Sequence, residues 1–138
     1  VVNERQLINR VHRVLSSRIY RWKINDSYHG GVADTYYSGP AGHCFVEYKY
    51  KHKPPKKDTS KMGFLLSDQQ ELWLTKQLKH NVHAYVLAGC KDDFWLTQDF
   101  KNVNSCTKEK FNTESFLLVD YILFIEQHCL GTKNDTEE

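Results

Sequence analysis

Apolar residues recur at helical spacing near the start of the chain. Those that share one face of the helix are Leu7, Ile8, Val11, Val14 and Leu15. Asn3, three residues before Gln6, is typical of a capping box that begins a helix. We therefore predict a helix from about residue 3, in which Glu4 lies on the same inward face as Leu7 and Ile8.

Three segments with strand character follow, at residues 19–24, 32–37 and 44–51. The sequence Ser-Gly-Pro-Ala-Gly at residues 38–42 predicts a hairpin turn between the second and third strands. Alternation in the third strand divides its side chains between the two faces of a sheet. One face receives Cys44, Val46, Tyr48 and Tyr50, and the other receives Phe45, Glu47, Lys49 and Lys51.

The second half of the chain predicts further helices and strands. Ser67 and Gln70 form another capping box, which begins a helix that runs to about Lys79. The order helix, three strands, helix, two strands, helix predicts an α/β fold with a mixed central sheet flanked by helices. The remaining predicted elements are strands at 83–88 and 94–96, a turn at 89–93, an apolar helix at 114–129 and a polar tail at 131–138 that is expected to fray.

Composition narrows the class of protein. With 138 residues, 40% of them hydrophobic and 26% charged, the chain is predicted to form one domain that buries a hydrophobic core without disulfide bonds or structural metal ions. No apolar run approaches the roughly 20 residues of a membrane span, and no signal peptide precedes the first helix, so we expect no membrane partner and a cytoplasmic location. Four scattered cysteines predict reduced thiols and no zinc site: Cys44, Cys90, Cys106 and Cys129.

Positive charge is concentrated in the first half of the chain. Residues 1–63 carry a formal charge of +7 and residues 64–138 carry −5, for a net charge of +2. A basic half suits a polyanionic substrate, because Lys and Arg neutralise phosphates. Two prolines and five lysines between residues 51 and 61 predict an exposed, mobile loop, whose charges either track a nucleic-acid backbone or are simply solvated.

Three residues combine into a candidate site. Asp34 lies in an otherwise largely apolar segment, and Glu47 and Lys49 project from one face of the next strand, so the hairpin would place Asp34 near Glu47. Two clustered carboxylates repel each other unless a cation lies between them. A hard ion such as Mg²⁺ together with a lysine suits phosphodiester hydrolysis. The alternative is a cross-strand salt bridge on a solvated sheet face.

An ordered set of motifs resembles the PD-(D/E)XK nuclease superfamily. The motifs are Gly-Val-Ala-Asp at 31–34, Glu-Tyr-Lys at 47–49 and Leu-Ser-Asp-Gln-Gln-Glu-Leu-Trp-Leu at 66–74. They are most similar to the virus-type replication-repair nuclease and Holliday-junction-resolvase branch, although Ala33 stands where many relatives have proline. The resemblance covers about residues 3–97, which we interpret as the core, and residues 99–130 as a helical extension.

This resemblance implies a restriction-endonuclease-like core that uses Mg²⁺, with Mn²⁺ as a substitute. The implied metal ligands are Asp34, Glu47, the carbonyl of Tyr48 and, directly or through water, Glu4. Lys49 would be the catalytic lysine, and Gln70 would support the site while capping its helix. The residues expected to contact DNA are His29, for which an ordinary loop histidine is the alternative, and Lys51, Lys53, Lys56, Lys57 and Lys61.

The sequence therefore predicts a metal-dependent DNA endonuclease. Cleavage of branched DNA fits the resemblance, and a site-specific homing-type endonuclease is the alternative. A non-catalytic nucleic-acid-binding module and a protein-interaction domain are further alternatives. We also expect a homodimer, because related junction resolvases work as pairs, and a phage origin with action in the host cytoplasm. Ordinary core packing is the alternative role for the proposed dimer residues, which are Phe116, Leu117, Tyr121, Phe124 and Ile125.

Overall fold

A computed structural model describes residues 1–132, so most of the predicted frayed tail lies outside the described residues. The five strands are β1 (Tyr20–Lys23), β2 (Thr35–Gly39), β3 (Gly42–Lys51), β4 (Ala84–Cys90) and β5 (Asp93–Thr97). The helices are α1 (Glu4–Val14), α2 (Asp68–Lys79), α3 (Lys108–Glu114) and α4 (Leu118–Leu130), with a 3₁₀ turn at Phe100–Asn102.

The strands form one mixed sheet in the order β1-β2-β3-β4-β5. Only β3 and β4 are parallel, because α2 carries the chain across one face of the sheet between them. The other neighbouring pairs are antiparallel. The predicted fold class, a mixed sheet flanked by helices, is thereby confirmed.

Both faces of the sheet are buried. Helices α1 and α4 cover one face, where Leu7, Tyr48 and Tyr121 belong to a single apolar cluster. Helices α2 and α3 and the 3₁₀ turn cover the other, around residues such as Leu74 and Phe111. The four cysteines are free and buried. No helix within residues 1–132 is long and apolar enough to cross a membrane.

The start of the second strand was predicted wrongly. The strand begins at Thr35, so Asp34 lies just before it and not in its middle. Gly31 has a positive φ of 84°, which takes residues 31–34 out of the regular pleat. The carbonyl of Asp34 still accepts a hydrogen bond from the amide of Ile24 at 2.8 Å, so Asp34 remains tied to the chain that leaves β1.

The apolar helix predicted at 114–129 begins later, as α4 at Leu118, and α3 (Lys108–Glu114) occupies a segment that was not predicted to be helical. Between them Phe116 is extended and exchanges two backbone hydrogen bonds with Phe94 of β5, at 2.8 and 2.9 Å. Two of the residues predicted for a dimer surface, Tyr121 and Ile125, are fully buried, because they face β2 and β3. Leu117 is exposed, together with Val119 and Leu123.

Candidate active site

Asp34 is fixed by hydrogen bonds at both its backbone and its side chain. Its amide donates to Glu47 Oε1 at 3.2 Å. Its Oδ2 accepts from the amide of Tyr48 at 2.9 Å, at the point where β2 no longer runs beside β3. In a strand the amide and the carbonyl of one residue point to the same side, so the Tyr48 carbonyl also faces Asp34. The predicted hairpin therefore does place Asp34 against Glu47.

The loop before Asp34 lies directly against the beginning of α2. A Cβ atom added to Gly31 would lie 2.3 Å from the carbonyl oxygen of Gln69, and one added to Gly30 would lie 2.4 Å from the Gln69 side chain. Only glycine allows so close an approach at a positive φ. This contact brings the first turn of α2, and with it Gln70, beside the acidic pair.

Gln70 joins the acidic residue to the lysine. Its Nε2 donates to Glu47 Oε2 at 2.9 Å, and its Oε1 accepts from Lys49 Nζ at 3.1 Å. The same Oε1 accepts from the amide of Ser67 at 3.0 Å, which completes the predicted capping box. Gln70 therefore caps its helix and contacts both Glu47 and Lys49, and its support of a site stays a prediction.

Burial disfavours the charged form of both Asp34 and Glu47. Glu47 is only 2% exposed. Burial, and then the charge of Asp34, raise its pKa to about 8. Burial also raises the pKa of Asp34, although the Tyr48 amide and Lys49 oppose this. Lys49 Nζ lies 3.4 Å from Glu47 Oε2, so one ammonium group offsets only part of the cost of two buried carboxylates.

The donor set at this point fits Mg²⁺ or Mn²⁺. Residues 1–132 contain no cluster of three or more His, Cys, Asp or Glu side chains that could enclose a metal ion. A zinc site normally needs three or four such ligands. Mg²⁺ commonly uses one or two carboxylates and keeps several waters. Asp34, Glu47 and the Tyr48 carbonyl could therefore hold it, with water and substrate oxygens as the other ligands.

The helical pattern predicted that Glu4 lies on the buried face of α1, and this prediction was wrong. Glu4 is exposed, because the first turn of α1 extends past the sheet before Leu7 and Ile8 reach the core. It nevertheless borders a cavity of about 200 Å³ that Lys49 and Lys51 also line. The structure thus brings Glu4 to the side of the site where Lys49 lies, although it is not in contact with the acidic pair.

The side chains predicted to bind DNA are exposed. His29 pairs with Asp26, with 2.7 Å between Nδ1 and Oδ2. The five lysines, Lys51, Lys53, Lys56, Lys57 and Lys61, are exposed at and beyond the end of β3. The later part of this segment is anchored, because Ser60 and Asp58 accept backbone hydrogen bonds from Lys108 and Glu109.

An aromatic groove that was not predicted from the sequence lies near the acidic pair. The groove has a volume of about 800 Å³, and its lining includes Trp22, Tyr28, Phe45 and Trp73. Two signals were available in the sequence. Phe45 shares the strand face of Glu47, and Trp73 follows Gln70 by one helical turn. What could not be read from the sequence was that the loop at residues 25–30 would enclose them.

Comparison with known proteins identifies no family for this chain. No protein-family model matches it, and no curated protein matches it. Among solved structures it is similar to Hjc from Archaeoglobus fulgidus, a Holliday junction resolvase from an archaeal hyperthermophile. The two chains are 14% identical, and the match covers 67% of this chain and 70% of that chain with a TM-score of 0.42. At this level the similarity concerns the fold and does not assign a function.

Proposed function

We propose that this chain is a metal-dependent nuclease that hydrolyses phosphodiester bonds in DNA. The observation that carries the proposal is the pair of largely buried acids, Asp34 and Glu47, that Gln70 joins to Lys49. A buried acidic pair is costly to a fold, and cation binding would relieve that cost. A lysine held at the same point adds a group that can act on a phosphate or a water molecule.

Each residue has a separate task in the proposed reaction. Asp34 and Glu47, with the Tyr48 carbonyl, would hold Mg²⁺ or Mn²⁺, and Glu4 could act through water. When bound, the ion would supply positive charge at the phosphate and lower the pKa of water. Lys49 would orient the attacking water and stabilise charge on the phosphate oxygens. Gln70 is a positioning residue, because it fixes both Glu47 and Lys49.

The preferred substrate is branched DNA, with a site-specific homing-type endonuclease as the second candidate. The exposed lysines suit either substrate, because backbone contacts position a protein on DNA without reading its sequence. Cutting both strands requires two active sites, and a homodimer would supply them. The exposed Leu117, Val119 and Leu123 leave α4 available for such pairing. A non-catalytic binding module and a protein-interaction domain remain the candidates if no cleavage is found.

The first test is cleavage of supercoiled plasmid and of a synthetic four-way junction, with Mg²⁺ or with EDTA. We expect cleavage that requires the metal and that Lys49→Ala reduces by roughly 10²- to 10⁴-fold, the usual contribution of an acid-base group. Lys76→Ala is the matched control, because Lys76 is an exposed lysine on α2 away from the acids. Preference for the junction over plasmid would favour the branched-DNA enzyme.

Metal binding provides a second, independent test. Titration calorimetry with Mn²⁺ should detect binding to the wild-type protein and none to Asp34→Ala. If the wild-type protein neither cuts these substrates nor binds a divalent ion, the nuclease proposal is wrong. DNA affinity that weakens with salt would then favour the binding module, and its absence would favour the protein-interaction domain.

A further inference from the structure

The aromatic groove beside the acidic pair leaves large apolar side chains in contact with solvent. Trp22 is 48% exposed and Tyr28 is 93% exposed, and both line the groove. Phe45 and Trp73 pack edge to face within it, with ring centroids 5.1 Å apart. Scattered single apolar residues are normal on a protein surface, but several aromatic rings around one concavity are typical of a binding site.

The groove lies close to the candidate active site along β3 and α2, although Asp34, Glu47 and Gln70 are not in its lining. Phe45 lies two residues before Glu47 on the same face of β3, a separation of about 7 Å along the strand. Trp73 lies one turn after Gln70 on the same helix, and Val32, also in the lining, lies two residues before Asp34. A planar group in the groove would therefore be only a few covalent bonds away from a phosphate at Asp34 and Glu47.

The charges around the groove favour an uncharged occupant. Its lining contains no lysine or arginine, and its one histidine, His29, is paired with Asp26, so it offers no free positive charge to a phosphate. Asp26 also orders the loop that forms one wall, since its carboxylate accepts from the amides of Tyr28 and His29. The lysines that suit phosphates lie elsewhere, at and beyond the end of β3.

We propose that this groove holds unstacked nucleobases of the DNA strand whose phosphodiester lies at Asp34 and Glu47. The inference rests on the proposed nuclease function and deepens it, because it names the substrate class as DNA with unpaired nucleotides at the point of cleavage. Bases within a duplex are stacked on their neighbours and cannot enter a groove between protein rings. Unpaired bases can stack on aromatic side chains whatever their identity.

The protein carries its own reporter for this interaction. Trp22 and Trp73 are two of its three tryptophans, and the third, Trp95, is only 3% exposed and lies in the core beside α3, where Lys110 Nζ is 5.6 Å from its ring centroid. Stacking of a base should quench the tryptophan fluorescence. We would titrate the protein with a single-stranded oligothymidylate and with a fully paired hairpin duplex, both in EDTA so that no cleavage occurs.

We expect fluorescence quenching and tighter binding by the single strand than by the duplex. Trp22→Ala and Tyr28→Ala should each weaken single-strand binding by roughly 5- to 100-fold, which corresponds to the loss of one stacked base. Duplex binding should change by less than about twofold. Tyr20→Ala is the matched control, because Tyr20 is 59% exposed on the same strand as Trp22 and does not line the groove.

Two outcomes would show which of the two proposals, the base-binding groove or the nuclease activity, is wrong. If metal-dependent cleavage occurs but both alanine variants bind the single strand as tightly as wild type, the groove proposal is overturned and the nuclease stands. If the single strand binds in the groove as expected but no substrate is cut with Mg²⁺ and no divalent ion binds, the nuclease proposal fails alone. Because Tyr28 is almost fully exposed, its variant stays informative even if Trp22→Ala unfolds.

Discussion

Gln70 serves the helix and the site with one amide group. Its oxygen accepts from Ser67 and Lys49, and its nitrogen donates to Glu47. Any substitution here alters the beginning of α2 as well as the acidic pair, so a loss of activity alone would not define its role. The Ser67→Ala variant removes only the hydroxyl that caps the amide of Gln70, and is therefore the proper companion in such experiments.

A row of buried tyrosines lies on the opposite face of the sheet from the acids. The hydroxyls of Tyr37 and Tyr48 are 2.7 Å apart, as are those of Tyr48 and Tyr121. His12 ends the row, with Nε2 2.8 Å from the Tyr37 hydroxyl. Burial, with the charges of Lys23 and Arg21, lowers the pKa of His12 to about 4. A neutral imidazole can accept from Tyr37, so each hydroxyl can donate along the row towards His12.

The protein should lose stability through His12 as the pH falls from about 7 to 5. The pKa of His12 is about 4 when folded and 6.5 when unfolded, so the unfolded chain takes up the proton first. The stabilisation is present above pH 6.5 and is lost as the pH falls towards 4. By linkage, His12 should account for a loss of about 1–2 kcal/mol in the free energy of unfolding between pH 7 and pH 5.

Urea unfolding of the wild type and of His12→Gln at both pH values would measure this loss. The variant should lose less stability than wild type by that amount, while His52→Gln, at an exposed position, should behave as wild type. Comparing the proteins isolates His12, because Glu47 and the other acids titrate in all three. Equal losses in wild type and His12→Gln would show that the histidine is not held neutral.

At the scale of residues, the sequence was informative wherever chemistry follows from local spacing. Alternation placed Glu47 and Lys49 on one face, and the glycine-rich turn brought Asp34 to them. Asp34 and Glu47 are indeed in contact, through the Asp34 amide and the Glu47 carboxylate, although their roles stay predictions. Glu4 was misplaced because a helical wheel does not show how far the first turn extends beyond the sheet. The groove was missed because it depends on the conformation of an irregular loop.

Among the elements, α1 is held to β1 by side chains of the strand: Lys23 donates to Asn9, and Arg21 makes the larger set of hydrogen bonds. The guanidinium of Arg21 donates to four backbone carbonyls at and just after the end of α1. These are the carbonyls of His12, Leu15, Ser16 and Ile19. The last carbonyls of a helix have no partner within it, and a cation there also complements the helix dipole. Arg21 thus links the helix that carries His12 to the first strand of the sheet.

We expect Arg21→Lys to lower the free energy of unfolding by about 1–3 kcal/mol. Lysine keeps the charge but cannot match the fork of donors that reaches several carbonyls at once, so acceptors are left unpaired. Guanidinium chloride unfolding followed by circular dichroism would measure the change. Arg18→Lys, at an exposed position nearby, should change the value by less than about 0.5 kcal/mol. Equal stabilities of the two variants would contradict the proposed anchoring.

The boundaries that the sequence did not predict depend on tertiary contacts. Residues 114–129 are apolar enough to form one helix, but Phe116 instead pairs with Phe94 across the sheet edge. The second strand starts late because Gly31 packs against the backbone of Gln69. Neither partner is near in sequence, so local periodicity cannot reveal either contact. Capping signals are local, and the beginning of α2 at Asp68 after Ser67 was therefore predicted correctly.

On the scale of the whole molecule, positive charge and aromatic surface are separated. The lysines between residues 51 and 61 extend from the end of β3, whereas the groove that contains Trp22 and Trp73 has no lysine or arginine in its lining. A polyanion would be attracted mainly through the lysines, and bases would be held mainly through the rings. The two contributions to affinity should therefore differ in their dependence on salt.

Replacing Lys53, Lys56 and Lys57 together by glutamine should weaken DNA binding for every sequence. If all three contact phosphates, the slope of log affinity against log salt should become shallower by about 2–3, since each contact contributes about 0.7–0.9. Fluorescence anisotropy at several salt concentrations would measure the slope. The charge-matched control replaces three exposed lysines elsewhere, Lys76, Lys79 and Lys101. An unchanged slope in the test variant would show that these lysines are only solvated and do not contact DNA phosphates.

The position of β3 at the centre of the sheet has a consequence for hydrogen exchange. This strand carries Glu47 and Lys49 and is paired with neighbours on both sides, β2 and β4. Amides of a central strand exchange mainly when the whole domain opens, whereas loops and edges open locally. We therefore expect the amides of Glu47 and Lys49 to exchange slowly and those of the groove loop at residues 25–30 to exchange faster. Local opening of that loop would leave the geometry of the acids unchanged.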